Sequence, residues 1–355
     1  PPEGGTTNPM AGKYYGGKWG VYLRAPDLWF ELLDRYGQRL VPLAQIADVW
    51  RGITSGKDCF FFPRDATAEC LAAHPDPADF EAQYALPRAD VASGRVKLVR
   101  CGEGRGQIRP IEAEYLEPEV HNLMEIERFS VSPGNCSRMI LLVGKPKSEL
   151  KGTRVLEYIN WGENEGYHTG VSCANRVTTD RPWYDLTGHE RGALFWSMQQ
   201  QYKHAIPVNE NRLICNHNLF DISPTPEAQG SADLLGGVLN STWVALSKHQ
   251  YGRPVGVEGN LKTEVVDVKM MLVPDISAAS CTACDRVQRG FQRMRTRKAL
   301  FFISERRLRR MAYLQAGKEA ELEGLSDLCE LDMADRRELD DAVLEMMGET
   351  SPERR

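Results

Sequence analysis

Apolar positions recur at helical spacing in several parts of the chain. Pro26 opens the first helical pattern, in which Trp29, Leu32, Leu33 and Tyr36 fall at helical spacing, and Gly37 ends it. The same periodicity predicts helices that begin at 153, cover 232–248, start at 284 and cover 335–347. The last two lie close together, which predicts a helical C-terminal region.

Short alternating and β-branched runs predict strands in the rest of the chain. Residues 40–62 predict a strand, a glycine-rich loop and a second strand, and further strands are expected at 96–100, 139–143, 194–198, 213–215, 219–222 and 265–273. Residues 63–95, rich in Ala, Asp and Pro, predict an irregular insertion. Because the strands do not alternate regularly with helices, we predict an α+β fold, a β-rich body with helices followed by a helical C-terminal region.

Length and composition are typical of a globular protein with a sizeable core. The 355 residues are 42% hydrophobic and 26% charged, and about 150 residues per domain predicts two domains or one large one. We expect a linker or frayed end over 1–19, a first domain over 20–275 that contains the insertion, and the helical region over 276–355. With no apolar run of ~20 residues and nine dispersed cysteines, we expect a cytoplasmic protein without a membrane partner.

Charge is distributed unevenly around a net value of −5. Residues 286–310 contain ten basic residues and one acid, giving +9, whereas residues 317–349 contain twelve acids and three basic residues, giving −9. A polyanion would bind the first segment and avoid the second. The alternative is that two helices pair with each other through these charges.

Motifs for catalysis and metal binding are absent from the sequence. Gly52 to Asp58 lacks the spacing of a phosphate-binding loop, and Gly102 to Gly106 lacks the third glycine of a dinucleotide site. Cys281 and Cys284 are a lone pair, whereas structural zinc needs four ligands. The Asn/Asp-Pro-Pro-aromatic loop that amino-group methylation needs is also missing. The sequence therefore predicts neither a catalytic residue nor a metal site in this chain.

A series of short segments in a fixed order nevertheless resembles a known family. They are Lys18 to Pro26, Leu43 to Val49, Gly52-Ile53-Thr54-Ser55-Gly56, Cys59-Phe60-Phe61, Arg181-Pro182-Trp183-Tyr184, Asn216 to Ile222, Leu239-Asn240-Ser241 with Gly252-Arg253, Gly259-Asn260-Leu261-Lys262, and Asp335 to Asp340 before Val343 and Gly348. This series is similar to the region that follows the catalytic domain in adenine-specific (N6) DNA methyltransferases of restriction-modification and phage-defence systems.

The resemblance implies that residues 20–275 are a target-recognition domain that binds double-stranded DNA. It also implies that the catalytic domain, with its S-adenosylmethionine site, belongs to the same polypeptide but lies outside this chain. The first residues, Pro1-Pro2-Glu3, lack an initiator methionine, so we expect that domain upstream of Pro1. No cofactor is expected in the chain itself.

Basic and hydroxyl side chains in these segments are the candidate DNA-binding residues. They are Arg51, Thr54, Ser55 and Lys57 of the glycine loop, Arg176 and Arg181, Arg253 and Lys262, and Arg286, Arg289 and Arg293 of the basic segment. Several have structural alternatives. The glycine loop could be a plain hairpin connection, the two arginines before Trp183 could pair with Asp180 or Asp185, and Trp183 and Tyr184 could belong to the core rather than stack on bases. Asn240 and Ser241 are better explained by helix packing than by base reading.

Two other functions stay open from the sequence alone. A metal-dependent nuclease would use an acid-x-Lys pair, and Glu149-Leu150-Lys151 and Asp267-Val268-Lys269 fit, although chance predicts as many. A protein-docking module of a defence complex would use the acidic segment over 317–349 and bind no DNA. Our main expectation is DNA sequence recognition on behalf of a methyltransferase.

Overall fold

The computed structural model describes residues 25–228, 230–256 and 260–351, and it mixes helices with several small sheets. The helices are α1 (Asp27–Tyr36), α2 (Asp58–Phe61), α3 (Thr67–Ala73), α4 (Pro77–Tyr84), α5 (Arg88–Ala92), α6 (Arg154–Asn164), α7 (Val171–Ala174), α8 (Ala232–Leu239), α9 (Thr242–Tyr251), α10 (Val265–Met270), α11 (Cys281–Met294), α12 (Glu305–Gln315), α13 (Glu319–Leu322) and α14 (Ala334–Met346). The strands are β1 (Leu40–Pro42), β2 (Ala47–Arg51), β3 (Arg64–Asp65), β4 (Val96–Cys101), β5 (Gln107–Glu112), β6 (Leu116–Val120), β7 (Arg138–Leu141), β8 (Leu194–Ser197), β9 (Gln199–Gln201), β10 (Ile214–Cys215), β11 (Leu219–Pro224), β12 (Arg253–Pro254), β13 (Asn260–Lys262) and β14 (Leu272–Pro274). The predicted α+β class is confirmed, and the predicted linker over 1–19 lies outside the described residues. Within those residues, no helix is both long and apolar enough to cross a membrane.

Local start and stop signals place several helices where the sequence predicted them. Pro26 and Gly37 flank α1, and its apolar face buries Trp29, Leu33 and Tyr36. At the start of α6, the hydroxyl of Thr153 accepts a hydrogen bond from the backbone N–H of Leu156. The predicted helices after 284 and over 335–347 correspond to α11, α12 and α14.

Two predicted strands are wrong, because their residues form short helices instead. The second strand expected within 40–62 is the short helix α2, which buries Phe60 and Phe61. Much of 265–273 forms α10, even though its first two residues are β-branched. Its start is fixed by a capping box, in which the backbone N–H of Glu264 donates to Asp267 Oδ2 at 2.9 Å.

We expected residues 63–95 to be irregular, and this prediction is wrong. They form β3 and the helices α3, α4 and α5. Asp76 caps α4 by accepting hydrogen bonds from the N–H groups of Ala78 and Asp79, and Pro77 occupies the first turn. The segment builds a small core of its own around Phe80, which is fully buried. Each helix is short, and this small apolar cluster is what holds them together.

The helix predicted over 232–248 is broken into α8 and α9 at Asn240. The side-chain amide of Asn240 donates to the carbonyls of Gly236 and Ile206, both at 2.8 Å, and Ser241 caps α9. Both residues are fully buried. Their interpretation as packing residues is confirmed.

The sheet that positions the candidate site has the antiparallel order β2–β11–β8. Its buried residues, among them Trp196 and Phe220, pack with α1, α8, α11 and α14 in the largest apolar cluster. At its edge β2 ends at Arg51, and β8 continues into β9, which pairs with β13 in a separate three-stranded sheet. Two sheets therefore deliver residues to one end of the molecule.

Oppositely charged residues link α11 to α14. Arg286 pairs with Asp341 at 2.8 Å and also with Glu345, while Arg293 pairs with Glu338. The sequence left open whether the basic segment binds a polyanion or pairs with the acidic helix. For these residues the structure shows that the two helices pair with each other.

Candidate nucleic-acid interface

Three cations that the sequence analysis selected converge on one carboxylate, that of Glu264. Arg51 Nη2 lies 2.6 Å from Glu264 Oε2, whereas Lys262 Nζ and Arg253 Nη2 lie 3.0 and 3.7 Å from Oε1. Each cation keeps between 31% and 51% of its side chain exposed. Three positive charges around one negative charge give this surface, the Glu264 cluster, a local charge of +2, which favours an anionic partner.

The members of the Glu264 cluster come from four elements. Arg51 ends β2, Arg253 opens β12, Lys262 ends β13, and Glu264 is the N-cap of α10. The hydrogen bond from Lys262, followed by the charges of Arg51 and Arg253, lowers the pKa of Glu264. Its carboxylate therefore stays ionised and holds the three cations in one place.

The sheet beside the cluster presents one polar face, which the sequence analysis missed. In the order β12–β13–β9, Arg253 lies opposite Lys262, Lys262 lies opposite Gln199, and Asn260 lies opposite Gln201. Directly opposed side chains point to the same side of a sheet, as do residues two apart along a strand. These five residues thus form one surface, the amide face. The only available signal was the run of three glutamines at 199–201.

The opposite side of the same sheet is buried. Gln200 turns inward and accepts a hydrogen bond from Lys248 Nζ at 2.7 Å, next to Leu261, which is 9% exposed. Burial lowers the pKa of Lys248 to about 7. The alternation of inward and outward residues fixes which glutamines reach the surface.

Backbone hydrogen bonds hold the glycine loop over 52–57 against the turn that follows β10. The N–H groups of Gly52 and Ile53 donate to the carbonyls of Leu219 and Cys215, both at 2.9 Å, and His217 N–H donates to the Ile53 carbonyl at 3.0 Å. A Cβ on Gly52 would lie 2.3 Å from the backbone oxygen of Asn216. Glycine is therefore required there by close backbone approach rather than by an unusual φ.

An open cleft of about 750 Å³ lies beside this loop, lined by residues 54–59, 102–105 and His217. Lys57 Nζ lies 2.5 Å from Glu103 Oε1 and 4.8 Å from the centre of the Tyr167 ring, while Thr54 is exposed at the rim. Met198 packs beside the Glu264 cluster, since its sulfur lies 3.9 Å from Arg51 Nη2, and its N–H donates to the carbonyl of Asn218, the residue after His217.

Ser55 is a correction to the candidate list, because it is fully buried. Its hydroxyl donates to Asp58 Oδ1 at 2.5 Å and accepts the N–H of Lys57 at 3.1 Å. The residue shapes the glycine loop from inside, so its hydroxyl does not face a ligand.

A buried polar network supports the turn beneath the loop. Asn216 Nδ2 and Arg138 Nη1 both donate to His121 Nδ1, at 2.8 and 3.1 Å. Burial lowers the pKa of His121 to about 4, and it raises the pKa of the neighbouring Glu119 well above its ordinary value. His121 is therefore uncharged at neutral pH, and burial favours the uncharged form of Glu119, which lowers the cost of burying this network.

Arg176 and Arg181 hold nearby loops in place by donating hydrogen bonds to backbone carbonyls. Arg176 donates to the carbonyls of Trp183, Thr54 and Ser55, at 2.6 to 3.1 Å. Arg181 donates to carbonyls of 185 and 187 and lies 3.7 Å from Asp185, one of the ion pairs considered from the sequence. Trp183 and its neighbour Tyr184 are buried, at 6% and 1% exposure, so the core alternative is confirmed for both.

The remaining candidates lie on α11. Arg286 and Arg293 are paired with acids of α14, while the exposed Arg289 donates to the carbonyl of Asp285. These three residues do not join the Glu264 cluster, and a role for them in DNA binding stays a prediction.

Two of the motifs considered for other chemistry have structural explanations. Asp267 is buried in the α10 cap whereas Lys269 is exposed, so this pair does not face one site. The glycines at 102–106 form the turn between the antiparallel strands β4 and β5, whereas a dinucleotide site needs a strand followed by a helix. Over 25–228, 230–256 and 260–351, no group of three or more His, Cys, Asp or Glu side chains is arranged to hold a metal.

Neither a protein-family model nor a curated protein sequence matches the chain. Two solved restriction enzymes are similar to it in structure. With the type IIG restriction endonuclease BpuSI the TM-score is 0.46 at 12% identity, over 93% of this chain and 33% of that enzyme. With the type IIL restriction-modification enzyme MmeI, solved in complex with DNA, it is 0.46 at 13% identity, over 88% of this chain and 34% of that enzyme. The chain thus spans about a third of the length of each.

Proposed function

We propose that this chain recognises double-stranded DNA for an adenine-specific (N6) DNA methyltransferase of a restriction-modification or phage-defence system. The observation that carries the proposal is the convergence of three cations around Glu264, in which Arg51 comes from a distant part of the sequence to join Arg253 and Lys262. All three lie in or beside the segments that, in their order along the chain, resemble such methyltransferases. Cations in excess over acids at an exposed edge suit phosphate binding.

Methyl transfer belongs to a catalytic domain outside this chain in our proposal. That domain would bind S-adenosylmethionine and accept the adenine that the recognition domain presents. Duplex DNA and the catalytic domain of the same polypeptide are the proposed partners, in the cytoplasm. The nuclease alternative has less support because Asp267 and Lys269 are turned apart. The docking alternative has less support because Glu338, Asp341 and Glu345 of the acidic segment already pair with α11.

Salt-dependent DNA binding by the 355-residue chain tests the proposal. For a random 20-base-pair duplex pool, the logarithm of the binding constant should fall linearly with the logarithm of the salt concentration. Replacing Arg51, Arg253 and Lys262 together by Gln should reduce the slope by roughly 2 to 3, since each phosphate contact contributes about 0.9.

A matched control removes three cations that each pair with a separate acid. Arg95, Lys97 and Arg100 pair with Asp90, Asp65 and Glu69 respectively, so each of these three charges is balanced by an acid of its own. Their triple replacement by Gln should leave the slope unchanged. Equal effects of the two triple variants, or binding that ignores both salt and sequence, would overturn the proposed function.

A further inference from the structure

We infer that the amide face formed by β12, β13 and β9 reads purine edges in the major groove, with Gln199 and Gln201 as adenine-reading residues. The inference rests on the proposed function and adds which residues select the sequence. It starts from the alignment of Gln199 with Lys262 and of Gln201 with Asn260 in adjacent strands. Their side chains form two rows on one side of the sheet.

The spacing of this face suits base edges. Residues two apart on a strand are separated by about 6.7 Å, close to twice the ~3.4 Å rise of duplex DNA. Gln199 and Gln201 therefore match positions two base pairs apart. The two paired strands β9 and β13 are about 4.8 Å apart, and a two-stranded ribbon fits the ~12 Å major groove.

The chemistry of the face favours adenine. A glutamine amide offers one acceptor and one donor side by side, which pair with N6–H and N7 of adenine. Gln199 and Gln201 are exposed, and no described residue hydrogen-bonds the side-chain amides of Gln199 or Asn260. At least these two amides keep donors and acceptors for a partner.

Charge around the face selects a nucleic acid as that partner. Arg253 and Lys262 lie in the same row as Gln199, and Arg51 reaches the same cluster through Glu264. The excess charge of +2 borders the amides, so cations are placed for phosphates while amides are placed for bases. Duplex DNA fits better than duplex RNA, because the major groove of RNA is too deep and narrow to be read.

The buried side of the sheet holds the amides in register. Lys248 fixes Gln200 from behind, and Trp196 Nε1 donates to Thr263 Oγ1 at 2.9 Å just after β13. A shift by one residue would turn Gln200 outward and bury its neighbours. The inward contacts oppose that shift and keep Gln199 and Gln201 outward.

Sequence selection by the wild-type chain and the Gln199→Ala/Gln201→Ala variant tests the inference. The wild type should enrich sites with adenine from a random duplex pool. The variant should keep its salt slope and its affinity for unselected duplex within about twofold, and it should lose tenfold or more on the enriched site, since each glutamine contributes a bidentate pair that discriminates against the wrong base. A Gln45→Ala/Gln83→Ala variant, altered at two exposed glutamines elsewhere, should select like the wild type.

Duplexes in which 7-deazaadenine replaces adenine give a second readout, because they lack the N7 acceptor. They should weaken wild-type binding and leave the Gln199→Ala/Gln201→Ala variant unaffected. If the wild type binds and selects but the variant selects equally well, the inference fails and the proposed function stands. If the wild type binds without selecting any sequence, the amide face reads nothing and the inference also fails. If the wild type shows no salt-dependent binding, the proposed function itself fails.

Discussion

Arg336 and Glu330 form an ion pair in which both side chains are fully buried, with 3.2 Å between Arg336 Nη2 and Glu330 Oε2. Arg336 also donates to the carbonyl of Asn240 at the break between α8 and α9. Glu330 in turn accepts two hydrogen bonds from Arg297, at 2.8 and 2.9 Å, and one from the N–H of Leu300 at 2.7 Å. This node ties the C-terminal helical region to the body of the molecule.

Replacing Arg336 by Met should destabilise the protein strongly. The change leaves the Asn240 carbonyl without its buried donor and removes one of the two arginines paired with Glu330, whose oxygens keep their hydrogen bonds from Arg297. Losing one partner of a buried pair costs about 3–5 kcal/mol, and we expect a loss near the lower end of that range. Urea denaturation measures the free energy of unfolding. Arg337→Gln is the control, because Arg337 is 67% exposed and lies 3.8 Å from Asp332, so it should cost at most about 1 kcal/mol. Equal losses would contradict a structural role for the buried pair.

Glu330 should also make the protein sensitive to acid. Burial alone would raise the pKa of Glu330, but the hydrogen bond from Arg297 and the charge of Arg336 outweigh burial and lower it. The stabilisation is therefore complete above the ordinary glutamate pKa and is lost as pH falls through the lowered value. The difference in free energy of unfolding between wild type and Glu330→Gln should shrink as pH falls from 6 towards 3. A difference that stays constant over that range would refute the argument.

Local signals in the sequence predicted much of the fold, whereas convergence of distant residues could not be predicted. Pro26 with Gly37, and Thr153, act within one or two helical turns, so their effect can be read from neighbouring residues. The strand expected at 265–273 was wrong because the cap formed by Glu264 outweighs β propensity. Arg51 and Glu264 are 213 positions apart, and only the paired sheets bring them together. The three cations were found as motif residues, but neither their shared carboxylate nor the amide face follows from sequence.

Replacing Gly52 by Ala should disturb the glycine loop and destabilise the protein. The new Cβ would lie 2.3 Å from the backbone oxygen of Asn216 and 2.6 Å from Cys215 Sγ, and a backbone atom cannot rotate away. Overpacking of this kind costs about 1–3 kcal/mol. The control is Gly106→Ala, where φ is −84° and no atom lies within 4 Å of the added Cβ, so neither crowding nor left-handed backbone strain acts there. Thermal denaturation should show a larger loss for Gly52→Ala, and the reverse order would contradict the close approach.

Lys248 should give the protein a stability that rises with pH between about 7 and 10.5. Burial lowers the pKa of this lysine from 10.5 to about 7, so within that window the unfolded chain binds a proton that the folded chain does not. Below pH 7 both states are protonated and the cost of burying the charge is fully present. Each pKa unit corresponds to about 1.4 kcal/mol, so the effect amounts to a few kcal/mol.

The Lys248→Met variant separates this effect from other titrations. The free energy of unfolding of Lys248→Met minus that of the wild type should be largest below pH 7 and should fall steadily towards pH 10. Burial raises the pKa of Cys101 and Cys136 to about 12, which affects both proteins alike and cancels in the difference. Lys269→Met, at an exposed lysine, is the control and should give a flat difference. A flat difference for Lys248→Met as well would mean that this ammonium is not desolvated. Lys248 also holds Gln200 behind the amide face. The protonation state of Lys248 therefore affects how firmly β9 is fixed where the proposed DNA contacts lie.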